Sequence, residues 1–168
     1  MTSAKSQALE QRLADMMARG VLGPLDALKT GDTSRVNNTL ADDPDLSITV
    51  EASSWYGFFC YLHYEGGGTG ISDLKWTWTV PASAGLRYQR SLVDTGGSPS
   101  VGITQAGADI VSARTNGGGN PQAVVMFGTL KTDVTAGLVT LRWAQNTTNA
   151  GIATIVHSHS RMELRKIQ

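Results

Sequence analysis

Two hydrophobic periods divide the chain. Within Ser6 to Arg19 the apolar residues Leu9, Leu13, Met16 and Met17 recur at helical spacing and line one face. Gln, Glu, Arg and Asp, with alanines, occupy the remaining positions, and Gly20 stands where a left-handed cap would end the helix. Pro24 suits the first position of a second short helix that stops before Gly31, with Leu25 and Leu28 as its apolar face. Helices this short are marginal in water alone. Residues 1–32 are therefore expected to form a helical N-terminal arm that docks on its own body, on sister subunits or on another protein.

From Arg35 onward the period shortens to two, with turn residues between the runs. Arg35 to Thr39 reads as a first strand, and Ala41-Asp42-Asp43-Pro44-Asp45 as a turn built on aspartate. Leu46, Ile48 and Val50 alternate with Ser47 and Thr49, which puts the apolar three inward. Trp55 to Tyr64 is dense in aromatics and reads as a strand buried on both faces. Leu74, Trp76, Trp78 and Val80 alternate again until Pro81 stops the ladder. Further strands are expected over Leu86 to Val93, Gln122 to Thr132, Leu138 to Ala144 and Thr154 to Ile167, with glycine-rich loops between them. Roughly eight such strands predict an all-β, antiparallel, jelly-roll-like sandwich over residues 33–168.

Composition narrows the function classes. Lys and Arg together number 14 and offset 14 Asp and Glu, so there is no broad basic field for nucleic acid or anionic lipid. Neither nucleic acid nor membrane is expected as a partner. Cys60 is the single cysteine, which excludes an intrachain disulfide, and its apolar neighbours mark it as a small buried hydrophobe. No signal-like start and no membrane-length apolar run is present, which points to a protein made and kept in the cytoplasm, or one that leaves it by a route other than secretion.

Candidate chemistry is sparse. His157-Ser158-His159 on a strand would point both imidazoles to one face, but His63 is the only other histidine and no acidic cluster adjoins the pair in sequence. Asp42, Asp43 and Asp45 lie around Pro44 as turn formers, and the other carboxylates are scattered, so no acid/base pair is favoured. Gly66 to Gly70 lacks the ending of a phosphate loop, and no Gly-x-Ser-x-Gly occurs. No catalytic residue, metal site or cofactor is expected. Of the four tryptophans, Trp76, Trp78 and Trp143 are assigned to the core or a subunit contact. For the four tryptophans as a set, Trp55 included, the alternative is a sugar-binding platform.

One resemblance emerges from particular residues. Thr135-Ala136-Gly137-Leu138-Val139-Thr140-Leu141-Arg142-Trp143-Ala144-Gln145-Asn146-Thr147 and the last strand ending Met162-Glu163-Leu164-Arg165-Lys166 resemble the end of small virion structural proteins of tailed phages of actinobacteria. The aromatic strand, the Gly-rich turn and the Lys75-Trp76-Thr77-Trp78 strand running on to Gly85 are similar too, so the resemblance covers roughly residues 33–168. The His157-Ser158-His159 stretch departs from the apolar or small residues usual in that last strand. The resemblance implies a jelly-roll homotrimer in a virion, as a head-decoration, head-fibre or minor tail protein. As decoration, Leu9, Leu13, Met16, Leu22, Leu25 and Leu28 would dock on the major capsid protein. As a tail or fibre-tip protein, the chain would bind a host-surface glycan through loops such as Glu65–Ser72 or Asp94–Ser100.

Overall fold

The computed structural model describes residues 25–67, 72–93, 96, 98–105 and 110–168. These residues form twelve strands and no helix. The strands are β1 (Leu25–Leu28), β2 (Thr33–Arg35), β3 (Ala41–Val50), β4 (Trp55–Glu65), β5 (Leu74–Thr79) and β6 (Gly85–Val93). They continue with β7 (Pro99–Gln105), β8 (Val111–Ala113), β9 (Gln122–Lys131), β10 (Gly137–Gln145), β11 (Thr154–Val156) and β12 (Arg161–Lys166).

Two antiparallel sheets result. The larger runs β1-β12-β4-β9-β6-β7, with β2 joined through β11 to β4, and the smaller runs β3-β10-β5-β8. The eight strands β3 to β10 are nested: β3 bonds to β10, β4 to β9, β5 to β8 and β6 to β7. The sequence reading thus finds the nested set in outline. It misses β7 and β8, does not anticipate β1, expects β11 and β12 as one strand, and places a strand over Arg35 to Thr39 where only Arg35 belongs to one, at the end of β2.

Strict alternation drives the packing. Tyr56, Phe58, Cys60, Leu62 and Tyr64 of β4 are buried on one face, while Leu74, Trp76 and Trp78 of β5 face them from the other sheet. Phe58 meets Trp78 edge-on at 5.1 Å and Tyr88 at 5.8 Å, both within the range of favourable aromatic pairs. Trp143 stands directly opposite Trp76 across β10 and β5, and Leu141 opposite Trp78. Gly128 lies between Phe58 and Tyr88 in the cross-strand row. A Cβ there would sit 2.0 Å from the Arg87 carbonyl oxygen, so only glycine permits β6 and β9 to approach this closely.

Four sequence expectations need correction. The helix expected from Pro24 to before Gly31 is instead strand β1 over Leu25–Leu28, paired with β12 through Leu25–Leu164 and Leu28–Arg161. Four residues carry little helical preference, and an available strand edge outweighs it. Among the described residues the sandwich therefore begins at Leu25, not near Asp32. The expected turn at Ala41 to Asp45 lies inside β3, where the register jumps from Ser47–Thr140 to Asp42–Arg142. Strand β4 buries one face only, with Trp55 exposed and Phe59, Tyr61 and His63 half-buried on the other. The last expected strand breaks into β11 and β12 at His157 to Ser160, where His159 has a φ of 68°.

That register jump in β3 does structural work in the core. It turns Asp43 inward, where its Oδ1 accepts the N–H groups of Asp45 at 3.0 Å and Leu46 at 3.1 Å. Its Oδ2 accepts the Trp143 indole N–H at 2.9 Å. The Lys29 ammonium, fully buried, donates to Asp43 Oδ2 at 3.1 Å, Asp45 Oδ2 at 3.1 Å and Thr33 Oγ1 at 2.7 Å. A buried charge is tolerated only when paired and hydrogen-bonded, and this one is both. The cluster ties the chain after β1 to β3 and β10.

Candidate interaction surfaces

The structure separates the expected site residues into three groups. Leu9, Leu13, Met16 and Leu22 lie outside the described residues. Leu25 and Leu28 lie on β1, at the end of the large sheet, with Leu28 56% exposed beside Arg161. Trp76, Trp78 and Trp143 are buried between the sheets and are core residues of the single chain.

The outer face of the large sheet is where exposed apolar side chains gather. Registers place Phe59 of β4 beside Phe127 of β9, then Gln89 of β6 and Ile103 of β7. The adjacent row runs Tyr61, Val125, Ser91 and Val101. Ile103 is 82% exposed, Val101 65% and Phe127 49%. Sequence reading passed over this band because β7 looked like a loop after Gly96-Gly97-Ser98-Pro99. Its signal was the apolar pair Val101 and Ile103 with period two.

One end of the same face carries a groove. The next rows along β4 bring Trp55 opposite Lys131, Lys131 opposite Gly85, Gly57 opposite Thr129 and Thr129 opposite Arg87. A groove of about 480 Å³ is lined here by Trp55, Gly85, Arg87, Thr129, Lys131 and Asp133, among others. The Lys131 ammonium lies 5.3 Å from the centre of the Trp55 ring. Of the four tryptophans, Trp55 is the one whose ring reaches solvent.

The histidines meet at a joint near the other end of the sheet. His157 does not share a strand face with His159. Its Nδ1 lies 3.1 Å from Asp32 Oδ2, its Nε2 3.6 Å from Glu65 Oε2, and its ring 5.0 Å from that of His63. Acidic partners are therefore present, contrary to what adjacency in sequence indicates, because Asp32 is 125 positions away. The Asp32 carboxyl is held below its usual range by the Ser158 N–H and then by His157. His63 is lowered from 6.5 by partial burial first and by His157 second. Among the described residues no group of three or more His, Cys, Asp or Glu is placed to hold a metal ion.

Other carboxylates are held by cations. Asp42 pairs with Arg142 at 3.0 Å and Glu51 with Lys166 at 2.6 Å. Asp43 and Asp45, on either side of Pro44, converge on Lys29 inside the protein. Cys60 is fully buried, and burial pushes its thiol far up, out of the range of a reactive thiolate.

No protein-family model and no curated protein matches the chain. Among solved structures it is similar to the tripod (BppUct-A-L) from the baseplate of bacteriophage Tuc2009. Identity there is 11% and the TM-score 0.31, over 79% of this chain and 63% of that one. It is also similar to the VP2 subviral particle of infectious bursal disease virus, at 11% identity and TM-score 0.20, over 85% of this chain and 41% of that one. The chain thus spans less than two thirds of the length of either.

Proposed function

We propose that this chain is a structural protein of a tailed-phage particle, without enzymatic activity: a trimeric decoration protein whose body forms a knob on the capsid surface. Its nested strand order, β3 with β10 through β6 with β7, is that of a jelly roll, the fold that the sequence resemblance implies for such proteins. The observation that carries the reading is the apolar band on the outer sheet face. An antiparallel sheet open to water keeps that face polar. Here Phe127, Val101 and Ile103 stand exposed beside Phe59, Tyr61 and Val125. A contact repeated around a closed ring would cover them. Carboxylates held by Lys29, Arg142 and Lys166 fit a structural role better than a catalytic one.

In this reading Leu9, Leu13, Met16 and Leu22 dock on the major capsid protein, and Leu25 and Leu28 continue that contact from β1. Three weak arms acting together would bind far more tightly than one. The test is a chain lacking residues 1–24, cut before β1 so that Lys29 stays in its cluster. It should fold and trimerise yet fail to join particles. Full incorporation of the shortened chain would remove the arm from the account.

A second reading, a minor tail or fibre-tip protein that binds a host-surface glycan, is favoured by the Trp55 groove. Copy number separates the two. Occupancy of every equivalent position on the shell supports decoration, and a few copies at the tail support the second.

A further inference from the structure

We infer that the groove beside Trp55 is a saccharide-binding site, with a preference for a sugar that carries a carboxylate. The inference stands on the body alone and holds for a head or a tail position.

Three features carry it. First, the groove has an aromatic wall. Trp55 is 38% exposed at the start of β4, although the other three tryptophans are buried. A sugar ring has an apolar C–H face and a polar rim, which suits an indole bordered by hydrogen-bonding groups. Thr129, Arg87 and Asp133 supply that border.

Second, the floor is kept empty by glycine. Gly85 lies within β6, where a glycine weakens a strand and often marks the close approach of a ligand. A Cβ at Gly85 would meet nothing within 4 Å, and Gly85 has no positive φ that would demand glycine for backbone reasons. Packing does not require this glycine, whereas it does require Gly128. Its missing side chain leaves the groove open.

Third, the backbone that carries the wall is fixed in place. The backbone of Trp55 is held on both sides: its main-chain N–H donates to the Gln168 carbonyl at 2.8 Å, and the Ile167 N–H donates to its carbonyl at 2.8 Å. The Thr132 hydroxyl, buried next to Lys131, accepts the Ser54 N–H at 2.9 Å and donates to the Glu51 carbonyl at 2.7 Å. A binding site whose frame is already ordered loses less entropy on binding. The volume of about 480 Å³ falls in the range of small-ligand sites. Two cations, Arg87 and Lys131, face one anion, Asp133, so the lining favours an acidic substituent.

The test is an NMR titration of the full chain with methyl β-D-glucuronide, methyl β-D-glucoside and inorganic phosphate, following the indole N–H signals and, for every variant, the backbone amide signals of Arg87 and Thr129. The glucuronide should shift the Trp55 signal saturably, the glucoside more weakly, and phosphate not at all. The three buried indoles should stay in place. Trp55→Ala removes the wall, and Gly85→Val fills the floor from a Cβ position that meets nothing within 4 Å, with unchanged circular dichroism required of both variants. Each variant should weaken binding by about tenfold or more. The inference is overturned if neither glycoside gives a saturable shift, if phosphate alone reproduces the shift, or if Gly85→Val binds like the unaltered chain.

Discussion

At the scale of single residues, the core is decided by polar atoms as much as by apolar ones. Asp43 is the clearest case: one carboxylate satisfies two backbone N–H groups, an indole and a buried ammonium. Removing one partner of a buried pair leaves the other charge stranded. Asp43→Ala is therefore expected to destabilise the fold by about 3–5 kcal/mol in urea unfolding, whereas Asp42→Ala, at the surface, should cost under about 1 kcal/mol. Equal effects would mean that the cluster contributes nothing specific. Gln145 plays a similar part in the Ala-Gln-Asn-Thr stretch. Its buried amide donates to the Ile152 carbonyl at 2.6 Å and accepts the Asn149 N–H at 2.7 Å, clamping the loop that follows β10. Neither role could be read from sequence, since Asp43 and Trp143 lie 100 positions apart and a turn-forming aspartate looks the same whether exposed or buried.

At the scale of elements, alternation was readable where the strand is long enough to repeat it. Leu46-Ile48-Val50 and Leu74-Trp76-Trp78 show the period plainly, and their burial follows it. Strands β1 and β11, with four and three residues, are too short to show any period and exist because an edge was available to pair with. The long final run hid its break because His157 to Ser160 carries no glycine or proline. That break makes the His157 joint, which ties the β1–β2 link, the end of β4 and the β11–β12 turn together. The charged and titratable groups facing His63 there are His157, His159, Asp32 and Glu65. Because the folded state lowers His63 below 6.5, protons bind the unfolded chain more readily. Its contribution to stability is present above 6.5 and is lost as pH falls through the lowered value. Asp32, lowered from 3.8, acts in the same direction at still lower pH. The urea midpoint should accordingly fall between about pH 7 and about pH 5, and His63→Asn should flatten that fall. A midpoint that stays level in the unaltered chain contradicts the account of the joint.

At the scale of the whole molecule, the two faces of the large sheet differ in what they leave undone. The inner face is closed by the small sheet and its tryptophans. The outer face carries the apolar band at its middle and the Trp55 groove at its end, so a subunit seated on the band would leave the groove at the rim of the contact. Two-sheet architecture could be anticipated from the sequence, but the outer band could not, because facing in or out is settled by register among β4, β9, β6 and β7. Light scattering on the purified chain at increasing concentration tests the assembled reading most directly. A mass three times 17.8 kDa is predicted, falling to a single chain in a Phe127→Asp, Ile103→Asp variant whose circular dichroism is unchanged. A mass of one chain at every concentration, in the unaltered protein, would contradict it.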